Sequence, residues 1–403
     1  MRHLKHSQGL WSIKSPLFPK HMSFIVGPRQ SGKTTLALEW LKKSRLSKEG
    51  HYYNCDLPDV RRRFRDGVGW MSALKRHHHR PLLIFDEIHK VRQWKRLLKG
   101  VFDQYRDDFQ FVVTKSGRLD LFQRGGDSLA GRYDSYFLGP FTPGEIARCV
   151  PIDQLTVGGI LGVDELDEDL ILQWELLGGF PEPFLAGKEA LARSWWRNYR
   201  IRVTEEDMRD LTRLESVDLM RQILDLLPGK VSSPLSLQSI REDVETSFAT
   251  VKRYILSLNQ LFMTFEVPPY AKKIHRAVKK ERKLYFFHHP AVLDAGARFE
   301  NMVAILLKRW ISEQNEKAQG EFGLHYLRDQ DRREVDFMLS LDGKPVLLIE
   351  VKRSDIQLSS SLRFYAEKLG ITGLQVVRQP GVVIKKGNGL AVVSVHRLAC
   401  ALG

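Results

Sequence analysis

A glycine-rich loop between a predicted strand and a predicted helix constrains this chain most strongly. Residues 27–34 read GPRQSGKT, which matches the pattern G-x-x-x-x-G-K-[ST]. The segment His21–Val26 predicts the strand, and Lys33–Lys43, which contains no glycine or proline, predicts the helix. In this context backbone N–H groups can surround phosphate oxygens, and the helix N-terminus adds positive potential. The motif therefore predicts a binding site for ATP with Mg²⁺.

The residues of the loop have expected roles in such a site. Lys33 would reach the β- and γ-phosphates, and the Thr34 hydroxyl would bind Mg²⁺. The predicted nucleotide-binding residues are Gly27, Pro28, Arg29, Gln30, Ser31, Gly32, Lys33, Thr34 and Thr35.

An acidic pair at the end of a later strand complements the loop. Leu82–Phe85 is an unbroken apolar run, as expected of a strand in a parallel sheet, and Asp86 and Glu87 follow it. Asp86 would hold Mg²⁺ directly or through water. Glu87 would be the catalytic general base that polarises the attacking water. Either half alone could be coincidence, but both halves in the right order favour ATP hydrolysis.

Two further features fit the same site. Thr114, Lys115 and Ser116 end a predicted strand, where a polar sensor of the γ-phosphate would lie. Arg132 is a candidate catalytic arginine finger, which would stabilise charge on the transferred phosphoryl group. A surface arginine is the alternative. If Arg132 acted on the nucleotide of a neighbouring subunit, the protein would be a homo-oligomer.

Charged residues near the C-terminal end form a second candidate site. Asp336 and Glu350 lie on apolar runs joined by an Asp-Gly turn, which predicts a β-hairpin. Strand alternation puts Glu350 and Lys352 on one face, and Asp336 could meet Glu350 across the hairpin. Glu300, on a preceding predicted helix, could complete the site.

These carboxylates predict a metal site. Mg²⁺ would bind Asp336, Glu350 and Glu300, and Lys352 would be a catalytic residue that activates water and stabilises phosphorane charge. A solvated strand end is the alternative, although charge at the end of an apolar strand is costly. The pattern predicts an α/β restriction-endonuclease-like fold and leaves open whether that fold cleaves.

The segment between the two candidate sites is basic. Leu235–Leu261 predicts a helix, a turn and a second helix, with Val251, Ile255 and Leu258 as an apolar stripe. This pattern suits a winged helix-turn-helix that contacts DNA. A solvated charged face is the alternative, but one acid accompanies seven cations in or near the expected wing, namely Lys272, Lys273, Arg276, Lys279, Lys280, Arg282 and Lys283.

The whole sequence excludes several classes of protein. A length of 403 residues predicts two to three domains. A net charge of +15 favours an anionic partner, and DNA is preferred because no membrane-spanning run or amphipathic anchor is found. The N-terminus lacks a secretory pattern, and Cys55, Cys149 and Cys400 show no paired spacing, so a reducing cytoplasmic location is expected. His77–His79 makes a poor metal site, because consecutive helical residues point in different directions.

Taken together, these motifs resemble a family of bacterial and archaeal AAA-type P-loop ATPases that end in a restriction-endonuclease-like, PD-(D/E)XK-type domain. The resemblance rests on the glycine loop and on Phe85–Val91 with Trp94, Ser128–Arg132, Pro140–Thr142, Gly178–Pro181, Thr250–Tyr254, Phe299–Asn301, Glu334–Phe337 and Ile349–Lys352. It implies ATP binding and hydrolysis, a winged-helix middle and a nuclease-like end. The order of predicted elements along the chain places the AAA-type ATPase domain over residues 1–145, a helical lid over 146–215, the winged helix over 216–290 and the nuclease-like domain over 291–403.

Three functions are compatible with this organisation. The first is an ATP-driven enzyme acting on DNA, whose nucleotide state gates Mg²⁺-dependent cleavage by the C-terminal domain. The second is a regulatory switch whose C-terminal fold is catalytically silent and serves as a binding module. The third is an ATPase that remodels protein. Cleavage lost in Asp336→Ala would distinguish the first two, and absence of salt-sensitive DNA binding would favour the third.

Overall fold

The computed structural model describes residues 21–43, 51–74, 80–117, 129, 131–207, 216–271 and 281–403. The chain separates into two compact units, Met1–Gly139 and Pro140–Gly403. The predicted boundary at residue 145 lies close to this division, and the predicted boundaries at 215 and 290 both lie inside the second unit.

Parallel strands form one sheet in the described part of the first unit. The strands are β1 (Met22–Gly27), β2 (His51–Asn54), β3 (Leu82–Asp86), β4 (Gln110–Ser116) and β5 (Tyr133–Phe137), in the order β2-β3-β4-β1-β5. The helices are α1 (Lys33–Lys43), α2 (Pro58–Arg65) and α3 (Trp94–Tyr105), with 3₁₀ turns at Gly69–Ala73 and Ile88–Lys90.

The core between α1 and this sheet is apolar. Every residue of β3 is buried, as an unbroken apolar run predicts for a strand covered on both faces. The predicted strand before the glycine loop and the predicted helix after it are both present. The core residues are Ile25, Leu36, Ala37, Trp40, Leu82, Ile84, Val112 and Leu138.

The first half of the second unit consists of helices followed by a β-hairpin. The helices are α4 (Pro143–Ala147), α5 (Val157–Leu161), α6 (Glu168–Leu177), α7 (Pro181–Ala186), α8 (Glu189–Arg202), α9 (Val217–Leu226), α10 (Leu237–Asp243) and α11 (Phe248–Gln260). The antiparallel strands are β6 (Thr264–Val267) and β7 (Lys283–Phe286).

The predicted helix-turn-helix corresponds to α10 and α11. Val251, Ile255 and Leu258 are all buried, so the predicted apolar stripe of α11 is confirmed. The hairpin β6–β7 follows these helices, as a wing would, and the winged-helix assignment stays a prediction. Residues 272–280, which hold five of the predicted wing cations, lie outside the described residues, as does His77–His79.

A mixed sheet forms the second half of this unit. Its elements are α12 (Ala295–Glu316), β8 (Phe322–Arg328), β9 (Glu334–Leu341), β10 (Lys344–Lys352), α13 (Ser360–Leu369), β11 (Thr372–Val377), β12 (Val383–Lys385), β13 (Leu390–Ser394) and α14 (Val395–Leu402). The strand order is β12-β13-β11-β10-β9-β8. β10, β11 and β13 are parallel, and the other pairs are antiparallel. None of the helices in the described residues is long and apolar enough to cross a membrane.

Two cysteines without paired spacing in the sequence lie together in the second unit. The sulfur atoms of Cys149 and Cys400 are 2.6 Å apart, and both residues are free thiols. Burial and the neighbouring Cys400 raise the pKa of Cys149 to about 12. The spacing of 251 residues explains why the sequence gives no sign of this pair.

Candidate functional site

The glycine loop turns sharply between β1 and α1. Gln30 and Gly32 have φ angles of 60° and 95°, in the left-handed region that glycine adopts without steric cost. A Cβ atom on Gly27 would lie 2.1 Å from the carbonyl oxygen of Leu138. Helix α1 begins at Lys33, so its first N–H groups lie beside the loop. This backbone arrangement is the one that the motif predicts for a phosphate cradle.

The side chain of Lys33 lies against the loop that precedes it. Its Nζ atom donates hydrogen bonds to the carbonyl oxygens of Pro28 at 2.7 Å and Gly27 at 3.3 Å. The residue is buried, with 4% exposure. The ammonium therefore places a positive charge at the loop, where phosphate oxygens would be stabilised.

The carboxylate of Asp86 receives hydroxyl groups from three elements. The hydroxyl of Thr34, on α1, donates to its two oxygens at 2.9 and 3.1 Å. The hydroxyl of Tyr52, on β2, donates at 2.6 Å, and the hydroxyl of Thr114, on β4, also donates to Asp86. The structure thus brings together Thr34 and Asp86, the two predicted Mg²⁺ ligands of this unit.

Tyr52 is a site residue that the sequence reasoning missed. Burial, followed by the hydrogen bond to Asp86, raises the pKa of Tyr52, so the phenol remains a neutral donor. Strand β2 pairs with β3, but Tyr52 and Asp86 are 34 residues apart. No local motif marks the tyrosine, and its role follows from strand order alone.

Glu87 is held by groups at the ends of β3 and β4. Its carboxylate accepts hydrogen bonds from the hydroxyl of Ser116 at 2.7 Å and from the N–H of Ser116 at 3.2 Å. His89 Nδ1 lies 3.2 Å from Oε2, the oxygen that also accepts from the N–H of Ser116. Burial alone would raise the pKa of Glu87, but His89, Lys33 and Ser116 outweigh burial and lower it well below its usual range. Glu87 is therefore a carboxylate at neutral pH.

Side chains alternate at the end of β4. Thr114 and Ser116 point to the acidic pair, where they contact Asp86 and Glu87. Lys115 is fully buried instead, with its Nζ atom 5.7 Å from the ring centroid of Trp94. The predicted polar sensor therefore corresponds in position to Thr114 and Ser116, on either side of Lys115.

Arg132 lies at the other end of the sheet from the glycine loop. Its carbonyl oxygen accepts a hydrogen bond from the N–H of Met22 at 2.8 Å, at the start of β1. The loop follows the end of β1, five residues further on, which is about 17 Å at 3.3 Å per residue. The guanidinium contacts Asp103 at 2.7 and 3.0 Å. Arg132 therefore cannot reach the glycine loop of its own chain.

In the second unit, the ammonium of Lys283 lies among carboxylates. Its Nζ atom is 2.6 Å from Glu334, 3.1 Å from Glu300 and 3.3 Å from Asp336. Lys283 is fully buried. Burial would lower its pKa, but the neighbouring carboxylates outweigh burial and raise it above the usual range. The prediction that Lys283 contacts DNA is therefore wrong, because its ammonium is enclosed by acids.

The remaining carboxylate oxygens near Lys283 also have donors. Tyr285 donates to Glu300 at 2.6 Å, and Ser232 donates to the other oxygen of Glu300. The N–H of Val351 donates to Asp336 at 2.9 Å. Burial and the charge of Asp336 nevertheless raise the pKa of Glu300 to about 7. Each oxygen of Glu300 and Asp336 thus has a donor from the protein itself.

Glu350 lies beside Lys352 and opposite Asp336, as the hairpin predicts. Phe337 pairs with Ile349, so Asp336 stands opposite Glu350. The Lys352 ammonium is 2.8 Å from one oxygen of Glu350. Burial and the charge of Asp336 raise the pKa of Glu350 to about 7. The second carboxylate oxygen of Glu350 is buried, and no described residue donates to it.

The predicted metal ligands of the second unit do not fit Mg²⁺ in this arrangement. The described residues include no group of three or more His, Cys, Asp or Glu side chains that could hold a metal ion. The positive charge between Glu300 and Asp336 is that of Lys283. The three predicted ligands are therefore neighbours, but Lys283 lies between two of them, Glu300 and Asp336.

Comparison with protein families agrees with the geometry of the first unit. Residues 19–147 match a family described as an AAA domain. Residues 168–289 and 295–398 match families described only as domains of unknown function, DUF8612 and DUF4143. The first unit is an AAA-type P-loop fold, as the sequence predicts. The other two matches specify no fold, so the winged-helix and restriction-endonuclease-like assignments stay predictions.

Individual relatives add little on function. The chain is 23% identical over 364 residues to the uncharacterized proteins Mb2031c of Mycobacterium bovis and Rv2008c of Mycobacterium tuberculosis, covering 88% of this chain and 75% of each relative. AMPPCP-bound DnaA from Aquifex aeolicus is 15% identical, with a TM-score of 0.32 over 62% of this chain and 85% of that chain. A RuvB variant from Thermotoga maritima is 18% identical, with a TM-score of 0.32 over 68% of this chain and 96% of that chain.

Proposed function

We propose that the first unit binds ATP and hydrolyses it with the help of Mg²⁺. The observation that carries the proposal is the convergence of Lys33, Asp86 and Glu87 at one edge of a parallel sheet. β1, β3 and β4 are mutually parallel and end at that edge, and the carboxyl ends of parallel strands are where α/β sheets bind ligands.

The phosphate end of ATP would lie at the glycine loop. The N–H groups at the start of α1 and the ammonium of Lys33 supply donors and positive charge for phosphate oxygens. Thr34 and Asp86 are hard oxygen donors 2.9 Å apart, so they suit Mg²⁺. When bound there, Mg²⁺ would neutralise negative charge on the phosphates.

Glu87 would polarise the attacking water. Its depressed pKa keeps it ionised, and Ser116 holds the carboxylate at the end of β4. An ionised carboxylate can accept a hydrogen bond from the attacking water and act as its general base. Thr114 and Ser116 would connect the phosphate end of the nucleotide to both acidic residues.

The test is ATP binding and phosphate release by wild type, Glu87→Gln and Lys33→Ala. The glutamine can still accept from Ser116, so Glu87→Gln should bind ATP but lose hydrolysis by roughly 100-fold or more. Lys33→Ala should lose binding. Glu189→Gln, an exposed change in the second unit, is the control. Wild type that binds no ATP, or Glu87→Gln that hydrolyses normally, would refute the proposal.

DNA is the partner that the charge of the chain favours. The net charge of +15 attracts polyanions. Arg282 is the remaining described cation of the predicted wing, and it contacts Glu266 at 3.2 Å. From the net charge, we therefore propose that the protein uses ATP hydrolysis to act on DNA. Salt-dependent DNA binding tests this proposal.

For the second unit, a non-cleaving switch has more support than a nuclease. The ammonium of Lys283 already supplies positive charge to Glu300 and Asp336, and charge compensation is the task that a divalent cation would perform there. The nuclease-like domain would then serve as a binding module whose contacts depend on nucleotide state.

This choice is tested by incubating single-stranded, duplex and branched DNA with Mg²⁺ or Mn²⁺, with and without ATP. Wild type that hydrolyses ATP should leave the DNA intact. Metal-dependent cleavage that disappears in Glu350→Ala would instead establish a nuclease, and its loss in Lys352→Ala would then test Lys352 as the catalytic lysine.

A further inference from the structure

A basic groove lies in the first unit between α2 and the start of α3. Its volume is about 840 Å³, and no acidic residue lines it. The cations that line it are Arg61, Arg62, Arg65, Lys90, Arg92 and Arg96.

Most of this charge is available to a ligand. Arg65, Arg92 and Arg96 are exposed, and no carboxylate of the described residues forms an ion pair with any of the three. Arg61 donates to the backbone carbonyls of Cys55 and Asp56, which fixes its guanidinium without neutralising it. Arg62 pairs with Asp59 in an exposed contact that contributes little.

Helix stability explains only part of this placement of cations, since those in the last turn of α2 favour the dipole of that helix. The first turn of α3 contains no acidic residue, although Lys95 and Arg96 lie there. Cations near a helix N-terminus oppose the helix dipole, and like charges four residues apart, such as Arg61 and Arg65, repel each other. A bound polyanion would reverse both penalties.

We propose that this groove binds the phosphodiester backbone of single-stranded nucleic acid. Arginine forks match phosphate oxygens, and several cations around one groove suit successive phosphates better than a single nucleotide. A volume of about 840 Å³ has room for a short single strand. Phe64 lines the groove but is buried, so contacts are to the backbone, and binding is independent of sequence.

The groove is joined to the proposed catalytic glutamate by a short 3₁₀ turn. The N–H of Lys90 donates to the carbonyl oxygen of Glu87 at 3.1 Å, and Arg92 follows two residues later in the groove wall. A strand in the groove would therefore restrict the segment that carries Glu87. This coupling, which rests on the proposed ATP hydrolysis, predicts that single-stranded DNA changes the ATPase rate.

The experiment compares wild type with Arg65→Gln/Arg96→Gln and with the control Arg193→Gln/Arg363→Gln. Both variants lose two exposed charges, but only the first loses them from the groove. Binding of a fluorescein-labelled oligothymidylate is measured by anisotropy over a salt series, and melting temperature confirms folding. The groove variant should bind about tenfold more weakly, and its log–log salt slope should fall by about 1.4, since each contact to a single strand contributes about 0.7.

Several outcomes would overturn the proposal. Equal losses in both variants would assign binding to net charge alone. Tighter binding of duplex DNA than of single-stranded DNA would show that single-stranded nucleic acid is not the preferred ligand of the groove. Equal binding of a polyglutamate peptide would indicate an acidic protein partner. ATP hydrolysis in the absence of DNA is measured separately. If wild type hydrolyses no ATP, the proposed function is refuted, but the binding measurement still tests the groove.

Discussion

One buried ammonium balances the acids of the second unit. Lys283→Met should lower the free energy of unfolding by about 3–5 kcal/mol, because Glu300, Glu334 and Asp336 would lose their counter-charge. Urea unfolding measures the change. Lys344→Met, an exposed lysine at the start of β10, should change stability by less than about 0.5 kcal/mol. Equal effects of the two substitutions would contradict the ion pairing of Lys283.

A buried histidine makes the stability of the protein depend on pH. Burial lowers the pKa of His289 to about 4 from 6.5, and its ring contacts the carbonyl oxygen of Trp174 at 2.8 Å. Because the unfolded chain binds the proton more tightly, this stabilisation is present above pH 6.5 and is lost as the pH falls toward 4. The shift corresponds to roughly 3 kcal/mol.

Replacement of that histidine should flatten the acid response. Gln at position 289 can still donate to the Trp174 carbonyl, so His289→Gln should lose less stability than wild type between pH 7 and pH 4. Urea midpoints across this range measure the difference. Burial also lowers the pKa of His288, so part of the acid response should remain. Parallel pH profiles would show that His289 does not carry the effect.

At the residue level, the sequence predicts contacts only where they are local or strand-paired. Lys33, Thr34 and Asp86 belong to motifs with fixed spacing, and Glu350 and Asp336 belong to one hairpin, so their proximity was predictable. Tyr52 and Lys283 reach their carboxylates through strand order and tertiary packing. Lys283 was misassigned because a cation in a basic run carries no sign of the acids that surround it in the fold.

At the level of elements, the turn between β1 and α1 depends on Gly27. A Cβ atom there would lie 2.1 Å from the Leu138 carbonyl oxygen, so Gly27→Ala should displace the loop and reduce ATP affinity by at least about tenfold. Isothermal titration measures the affinity. Gly100→Ala is the matched control, because a Cβ atom on Gly100 in α3 meets nothing within 4 Å. It should leave affinity unchanged and stabilise α3 by up to about 1 kcal/mol. Normal affinity of Gly27→Ala would mean that the close approach is not required.

The elements themselves were largely predictable, for a physical reason. Apolar runs such as β3 mark strands buried on both faces, and the period of α11 marks its buried stripe. Burial at the end of β4 was not predictable in the same way. Lys115 is a charged residue that the alternation of the strand directs into the interior beside Trp94, and only the packed structure reveals its surroundings.

At the scale of the whole molecule, the position of Arg132 determines what an arginine finger would require. The residue stands at the start of β5, whereas the glycine loop follows the far end of β1. A role on the nucleotide of its own chain is excluded by this distance. A catalytic Arg132 therefore has to act on a neighbouring copy, through a head-to-tail interface.

A mixing experiment tests this requirement. Lys33→Ala and Arg132→Ala should each lose ATP hydrolysis, the latter by roughly 10³-fold. An equal mixture should recover activity, because about one head-to-tail interface in four then pairs an intact Lys33 with an intact Arg132 from its neighbour. Steady-state phosphate release measures the recovery, and Asp103→Asn controls for loss of the ion pair with Arg132. A mixture as inactive as its components would exclude action between subunits. Full activity of Arg132→Ala alone would show that Arg132 is a surface residue that pairs with Asp103 and has no catalytic role.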